Sequence, residues 1–345
     1  MNTVLGSTCL ISARNLGDAV MHANVLTCLQ RAGRANRYIV WTFYQARFLF
    51  EGLSNTEIIC SDFPMGSSLK SFFSLKGIMS FLNAVWLIRR MKVDEGIDLV
   101  GDFRERLCLI LIKPLRLHSP EWEKEHLFRK YNLMLPFRHN KPISIPSKMI
   151  NLYQAEEHIL DAILLNYVKK SYELSIPNFQ KDAKITFGIH PFASTNFKLW
   201  PFEYWVELID ILHRQFQYSS FVIFGSPNDS AALKNISERL YANHVIFNGS
   251  LSEFKLRLAQ MDLLIGLDSF SVHLAHSLQV PSILLVGANN PLLFTPPTSL
   301  AVYHSGRCPV QPCGGRPSCL GSNYQFSCMI DISPNSVANL ITTHS

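Results

Sequence analysis

The sequence predicts an α/β protein made of two doubly wound parallel-sheet domains. Three observations carry that expectation. Short apolar runs alternate with helical stretches along most of the chain, the pattern of parallel strands covered by helices on both faces. The series starts twice, once near Thr8 and again near Ile185, with a polar, proline-containing stretch between. The 345 residues also exceed an ordinary single core, at about 150 residues per domain. The predicted domains are 1–178 and 179–345, with the linker near Ser175 to Lys184.

Element by element, Thr8 to Ser12 reads as a strand, followed by a tight turn at Arg14 to Asp18 and a helix from Ala19 to about Arg31. Tyr38 to Trp41, Glu57 to Cys60 and Leu99 to Asp102 read as further strands, and Gly77 to Lys92 as a helix. Residues 120–150 are polar, basic and rich in proline, and a helix is expected from Leu152 to about Val168. In the second series the strands are Ile185 to His190, Phe221 to Phe224, Val245 to Asn248, Leu263 to Gly266 and Ser282 to Val286. Helices fall near 203–216, 229–242, 252–260 and 271–278, and a last helix at about 333–343 is a candidate to pack back on the N-terminal domain. In such a fold a ligand sits beyond the carboxyl ends of the strands.

Composition narrows the function. With 48% apolar and 17% charged residues the chain has material for two cores and no signature of disorder. No run reaches the roughly 20 apolar residues a membrane span needs, the best being Gly77 to Ile88 before Arg89 and Arg90. The first basic residue is Arg14, so the start lacks the lead-in of a secretory signal, and a cytoplasmic chain is expected. The net charge of +6 lies wholly in residues 1–182, with 23 Lys and Arg against 17 Asp and Glu, while residues 183–345 hold 9 of each. That excess reads either as a solvated face or as a surface for an acidic acceptor or an anionic membrane, and Gly77 to Ile88 either as a core helix or as a peripheral contact. No aromatic-interleaved basic motif points to nucleic acid.

Four constellations stand where predicted strands end. His190 to Ser194, then Lys198 to Pro201, puts hydroxyls and one ammonium after a strand, which suits a diphosphate; a solvated loop lysine is the competing reading. Gly266 to Ala275 follows a buried strand and opens a helix, so free amides, Ser269 and Ser271 make an anion site flanked by Asp268 and His273; a plain N-cap and a core histidine compete. Gly225 to Asp229 places a carboxylate where ribose hydroxyls could be accepted, or where a turn is capped. Asp18 follows Gly17 at the first helix and serves either as a proton acceptor or as a cap. Separately, Cys308, Cys313, Cys319 and Cys328 crowd into 21 residues. Their spacing departs from the paired Cys-x-x-Cys of most zinc sites, leaving a structural metal site, reduced thiols and a disulfide as alternatives.

Leu16-Gly17-Asp18, the His190 to Pro201 run, Gly225 to Asp229 and Asp268 to Ala275, in that order over nearly the whole chain, resemble the motifs of glycosyltransferase family 9, the heptosyltransferase family. The resemblance implies the GT-B architecture, two Rossmann-like lobes facing an interdomain cleft. The first lobe would bind the acceptor and the second the nucleotide sugar. It implies a bacterial, inverting, metal-independent transferase with no required cofactor, taking ADP-heptose or a related donor to a lipopolysaccharide or other cell-surface glycan. The acceptor would be a glycan or glycolipid; the expected localisation stays cytoplasmic, with the inner face of the inner membrane as the placement that the basic lobe and Gly77 to Ile88 suggest. By the same resemblance Asp18 is the base, Ser194 and Lys198 hold the diphosphate, Asp229 takes the ribose, and Asp268, Ser269 and His273 line diphosphate and sugar. The sequence has no Asp-x-Asp triplet, which agrees with metal independence. Phe192 and Phe270 stand where the family commonly has glycine, and a bulky residue at 270 is expected to reshape the sugar pocket. The rival readings are a nucleotide-sugar epimerase or phosphorylase on the same fold, and a non-catalytic sugar-binding assembly protein.

Overall fold

A computed structural model describes residues 5–65, 68–124, 140–164, 176–180, 182–304, 307–314, 316–341 and 343–344. The chain divides into two compact units, Met1–Lys170 and Ser171–Ser345.

The first unit runs β1 (Leu5–Ser12), α1 (Leu16–Arg31), β2 (Ala35–Thr42), β3 (Thr56–Cys60), α2 (Leu69–Phe72), α3 (Leu75–Arg90), β4 (Glu95–Ile97), α4 (Phe103–Ile112), β5 (Arg116–Trp122), β6 (Asn140–Ile145) and α5 (Leu152–Ile163). Its strands form one parallel sheet in the order β3-β2-β1-β4-β5-β6. Parallel strands need helical crossovers, and these cover both faces, which is why Cys9, Leu10, Ile39, Val40 and Trp41 are all buried. The order reverses between β1 and β4, so a crevice opens beyond their carboxyl ends.

One sequence expectation is corrected here, and a stretch that carried no assigned element is filled. Leu99 to Asp102 is not a strand. Asp98 turns its carboxylate onto the N–H groups of Val100 and Gly101, at 3.2 and 2.7 Å, and Gly101 takes a φ of 82°, which ends the strand after Ile97. Asp102 then caps α4 by accepting from the Arg104 N–H. Conversely, the proline-rich stretch contributes β5 and β6. Pro120 lies past the residues that β5 pairs with β4, and Pro142 is on the outermost strand, so neither removes a needed donor from the ladder. The expected helix from Leu152 ends at Ile163, and its predicted last residues, 165–168, lie outside the described residues.

The second unit contains β7 (Phe179–Gln180), β8 (Thr186–His190), α6 (Phe202–Gln215), β9 (Ser220–Phe224), α7 (Ser230–Ser237), β10 (His244–Phe247), α8 (Leu251–Leu258), β11 (Leu263–Leu267), α9 (Phe270–Ser277), β12 (Ser282–Val286), α10 (Pro291–Phe294), β13 (Ser299–Tyr303), α11 (Ser327–Ile330), α12 (Pro334–Ala338) and β14 (Thr343–His344). Its main sheet, β10-β9-β8-β11-β12-β13, repeats the order of the first and is also wholly parallel. On α6, Trp205, Leu208, Ile209 and Leu212 recur at helical spacing and are buried against Phe187, Phe216 and Phe221.

The division between units falls eight residues before the predicted boundary at 178/179. Phe179 belongs with the second core, its ring 6.0 Å from those of Phe187 and Phe216, and β7 pairs with β14 at the other end of that unit. The C-terminal helix is also corrected. It spans only Pro334–Ala338, and Val337, Ala338 and Ile341 bury themselves in the core of their own unit. Trp200 and Gln215 fix this segment by donating to the carbonyls of Ile332 and Ile341. Among the described residues no helix is long and apolar enough to cross a membrane.

Candidate functional site

In the second unit the sheet order reverses between β8 and β11, and the residues beyond those two strand ends meet. Lys198, in a 3-10 turn after β8, donates to the Asp268 carboxylate at 2.8 Å and to its carbonyl at 3.2 Å. Asn289, just past β12, donates to the same carboxylate oxygen. On the other side, the Nδ1 of His190 lies 3.3 Å from the hydroxyl of Ser269 and 3.1 Å from that of Ser271, and the two hydroxyls are 3.0 Å apart. Burial pulls the His190 pKa down to about 4, against a smaller opposing pull from the Asp229 carboxylate, so the ring is neutral near neutral pH.

Ser269 stands at the N-cap of α9, yet its hydroxyl accepts no helix N–H. The cap reading is thereby excluded for its side chain, which is turned instead to His190 and Ser271. The arrangement offers an ammonium, hydroxyls and an uncapped helix end within one small region, the donor set that an anionic diphosphate requires. His273 is buried one turn further along α9.

Ser194 and Asp229 lie outside this hydrogen-bonded cluster. Ser194 is exposed in the loop after β8. Asp229 closes a capping box, its Oδ2 accepting from the N–H and hydroxyl of Ser226 at 2.8 and 2.6 Å, so the turn-capping role weighed for it is realised. Sequence reasoning gave no role to His190, or to Asn289. Both stand at strand ends, which is the signal available, but their partners are distant in sequence.

Phe192 and Phe270 both pack edge-on around His190, at 6.2 and 5.8 Å, and Phe254 takes a third side at 5.6 Å. The bulky residues therefore form an aromatic wall beside the hydroxyl pair. They also explain Gly225, where a Cβ would come 2.9 Å from the Phe192 ring and 2.8 Å from Leu233.

In the first unit Asp18 lies in the first turn of α1, beyond the end of β1. Asn15 is the N-cap residue, so Asp18 is not the cap. Its Oδ2 accepts from Asn15 at 3.4 Å and lies 3.7 Å from Arg14. Behind it, His22 is fully buried with neither ring nitrogen hydrogen-bonded, and burial lowers its pKa to about 4. Glu105 accepts from the Ala13 N–H at 3.2 Å, and burial pushes its pKa up to about 8. Glu156, buried on α5, is raised well above the carboxylate range by burial first and by the charge of Asp18 second. Asp18 thus sits beside two carboxyls whose hold on a proton burial strengthens.

Cys308, Cys313, Cys319 and Cys328 line one cavity of about 10 Å³, with Phe197, Val310, Pro317 and Phe326 among its other walls. All are free thiols, and burial, followed by the other three sulfurs, pushes Cys328 up to about 11. As arranged, no three His, Cys, Asp or Glu side chains among the described residues form a metal-holding group. What the loop shows is a packed thiol cluster under the segment after β12, tied to it by Gly314 donating to Ala288 and Gln311 to Gly287.

Comparison with known proteins adds to this geometry. The sequence profile of glycosyltransferase family 9 (heptosyltransferase) matches residues 80–322. No curated protein matches by sequence. Among solved structures, a glycosyl transferase of family 9 from Veillonella parvula is 18% identical, covering 88% of this chain and 87% of its own, with a TM-score of 0.66. The heptosyltransferase WaaC of E. coli, solved with ADP-2-deoxy-2-fluoro heptose, is 16% identical over 97% of this chain and 98% of its own, with a TM-score of 0.68. The E. coli ADP-heptose lps heptosyltransferase II is 18% identical over 97% of both chains, with a TM-score of 0.63. At such identities the likeness to these structures is one of fold.

Proposed function

The chain belongs to glycosyltransferase family 9 (heptosyltransferase), and on that premise we propose that it is an inverting, metal-independent transferase moving a heptose from ADP-heptose to a lipopolysaccharide or related cell-surface glycan. The observation that carries the reading is the convergence of Lys198, Asp268, Ser269, Ser271 and His190 beyond β8 and β11, where a doubly wound sheet binds nucleotides. A solved structure of the same fold, that of E. coli WaaC, holds an ADP-linked heptose analogue, which supports the choice of donor.

In the proposed displacement, Asp18 takes the proton from an acceptor hydroxyl as that oxygen attacks the anomeric carbon. The bond to the diphosphate breaks, and the departing charge is met by Lys198 and the α9 N-terminus. Ser194 adds a hydroxyl to the diphosphate, Asp229 accepts from the ribose through the oxygen its capping box leaves unused, and Asp268 and His273 line the sugar. The first unit takes the acceptor and the second the donor. The enzyme works in the cytoplasm at the inner face of the inner membrane.

The test is Asp18→Asn, which keeps the shape and removes the base. Transfer from ADP-heptose, followed by mass spectrometry of the acceptor glycan, should fall by about 100-fold or more. ADP binding by calorimetry should be unchanged. Full turnover in this variant would remove Asp18 from the reaction.

A further inference from the structure

Helix α3 has two apolar faces, and the fold uses one. Gly77, Phe81, Ala84, Val85 and Ile88 are buried, which accounts for its packing on the first unit. Leu75, Ile78, Met79, Leu82 and Trp86 are exposed, and at 100° per residue they fall on a second stripe, with Phe73 exposed just before the helix. Four of the five on the stripe are more than half exposed. A helix facing only water and its own core does not need that stripe.

The segment that carries the stripe holds charge of one sign, and the nearest carboxylate, Asp62, is taken up by the hydroxyls of Ser71 and Ser80. From Phe63 to Val93 the chain holds five basic residues, Lys70, Lys76, Arg89, Arg90 and Lys92, and no acidic one. Arg90 lies over the Trp86 ring, 4.5 Å from its centroid. Arg89 and Arg90 edge an open groove of about 350 Å³ whose other walls are Leu82, Val85 and Trp86. An apolar stripe with an aromatic at its basic end matches the layering of a bilayer surface, acyl chains beneath anionic headgroups.

We propose that the exposed face of α3 docks the protein on an anionic phospholipid bilayer. The 16-residue helix is about 24 Å long, shorter than a hydrocarbon core, so it lies in the interface and does not cross it. A second copy of the chain is the poorer fit. A two-fold contact through this stripe would bring the basic residues of one copy, Lys76, Arg89 and Arg90, against those of the other, with no acidic residue in the segment to answer them. The inference deepens the membrane placement proposed above, but it needs neither nucleotide nor transfer, so the two stand or fall on separate measurements.

The test uses the full chain with vesicles of phosphatidylcholine alone and of phosphatidylcholine with phosphatidylglycerol. Sedimentation should carry the protein down with the anionic vesicles and much less with the neutral ones. Met79→Asp with Leu82→Asp should lower the partition by about tenfold or more, as should Arg89→Glu with Arg90→Glu. Trp86 supplies a second readout, because Trp41, Trp122, Trp200 and Trp205 are fully buried. Emission should shift to the blue on adding anionic vesicles and should not shift in Trp86→Phe. That measurement decides the matter on the unaltered chain even where an aspartate variant folds poorly. No partition and no shift with anionic vesicles would overturn the proposal. So would a dimer, seen by analytical ultracentrifugation, that the aspartate pair dissociates while vesicles leave the emission unchanged.

Discussion

Lys198 directs its ammonium to a carboxylate, Asp268, at 2.8 Å, and an incoming diphosphate would compete for that same charge. Charge-assisted hydrogen bonds of this kind contribute about 1.5–3 kcal/mol each. Lys198→Ala should therefore weaken ADP binding by roughly 10- to 100-fold in a calorimetric titration. An unchanged Kd would show that the ammonium stays on Asp268 when nucleotide binds. Lys198, Asp268 and Ser269 were legible in the sequence because each follows a strand end, where this sheet type opens its crevice. Their companions were not. Ser269 and His190 are 79 residues apart, and Asn289 and Asp268 are 21 apart, distances across which no local pattern speaks. Asp229 shows the converse difficulty, since an acidic residue after Ser-Pro-Asn gives the same local signal whether it caps the turn or waits for a ligand.

At the scale of elements, the least legible stretch was the one that holds the carboxyl end of β4. Its residues are apolar enough for a strand, yet Asp98 bends them, accepting two backbone N–H groups and the Nε of Arg106 at 3.0 Å. Both Asp98 and Arg106 are nearly inaccessible. Asp98→Ala should thus destabilise the first unit by about 3 kcal/mol or more, since it leaves a buried guanidinium without its carboxylate and frees the turn. Urea unfolding followed by circular dichroism measures it, and a loss below about 1 kcal/mol would mean that Arg106 is adequately held by its other partners, the Pro120 carbonyl among them. The stretch that holds the prolines of β5 and β6 carried no assignment for a related reason. A proline forbids a ladder donor, but whether a donor is needed depends on how far the neighbouring strand extends, and that is a tertiary fact.

For the whole molecule, the alternation of strand and helix disclosed two parallel sheets, while the shared 3-2-1-4-5-6 order depends on where each crossover lands and appears only in three dimensions. Each unit buries titratable groups near its own crevice, and these make stability depend on pH with opposite signs. Glu105 in the first unit is raised from 4.5 to about 8, chiefly by burial, so the folded chain binds more protons than the unfolded one between those values. The stability this group contributes is complete below pH 4.5 and is lost as pH rises through 8. His190 in the second unit is lowered from 6.5 to about 4, also by burial, so its contribution is complete above 6.5 and is lost as pH falls through 4. A glutamine at 105 keeps the acceptor for Ala13 and cannot ionise. Glu105→Gln should therefore match the unaltered chain at about pH 5 and exceed its Tm by roughly 3 °C or more at about pH 9. Tm values for the two chains that run parallel across that range would mean that Glu105 ionises without cost, and that burial does not hold its proton beside Asp18.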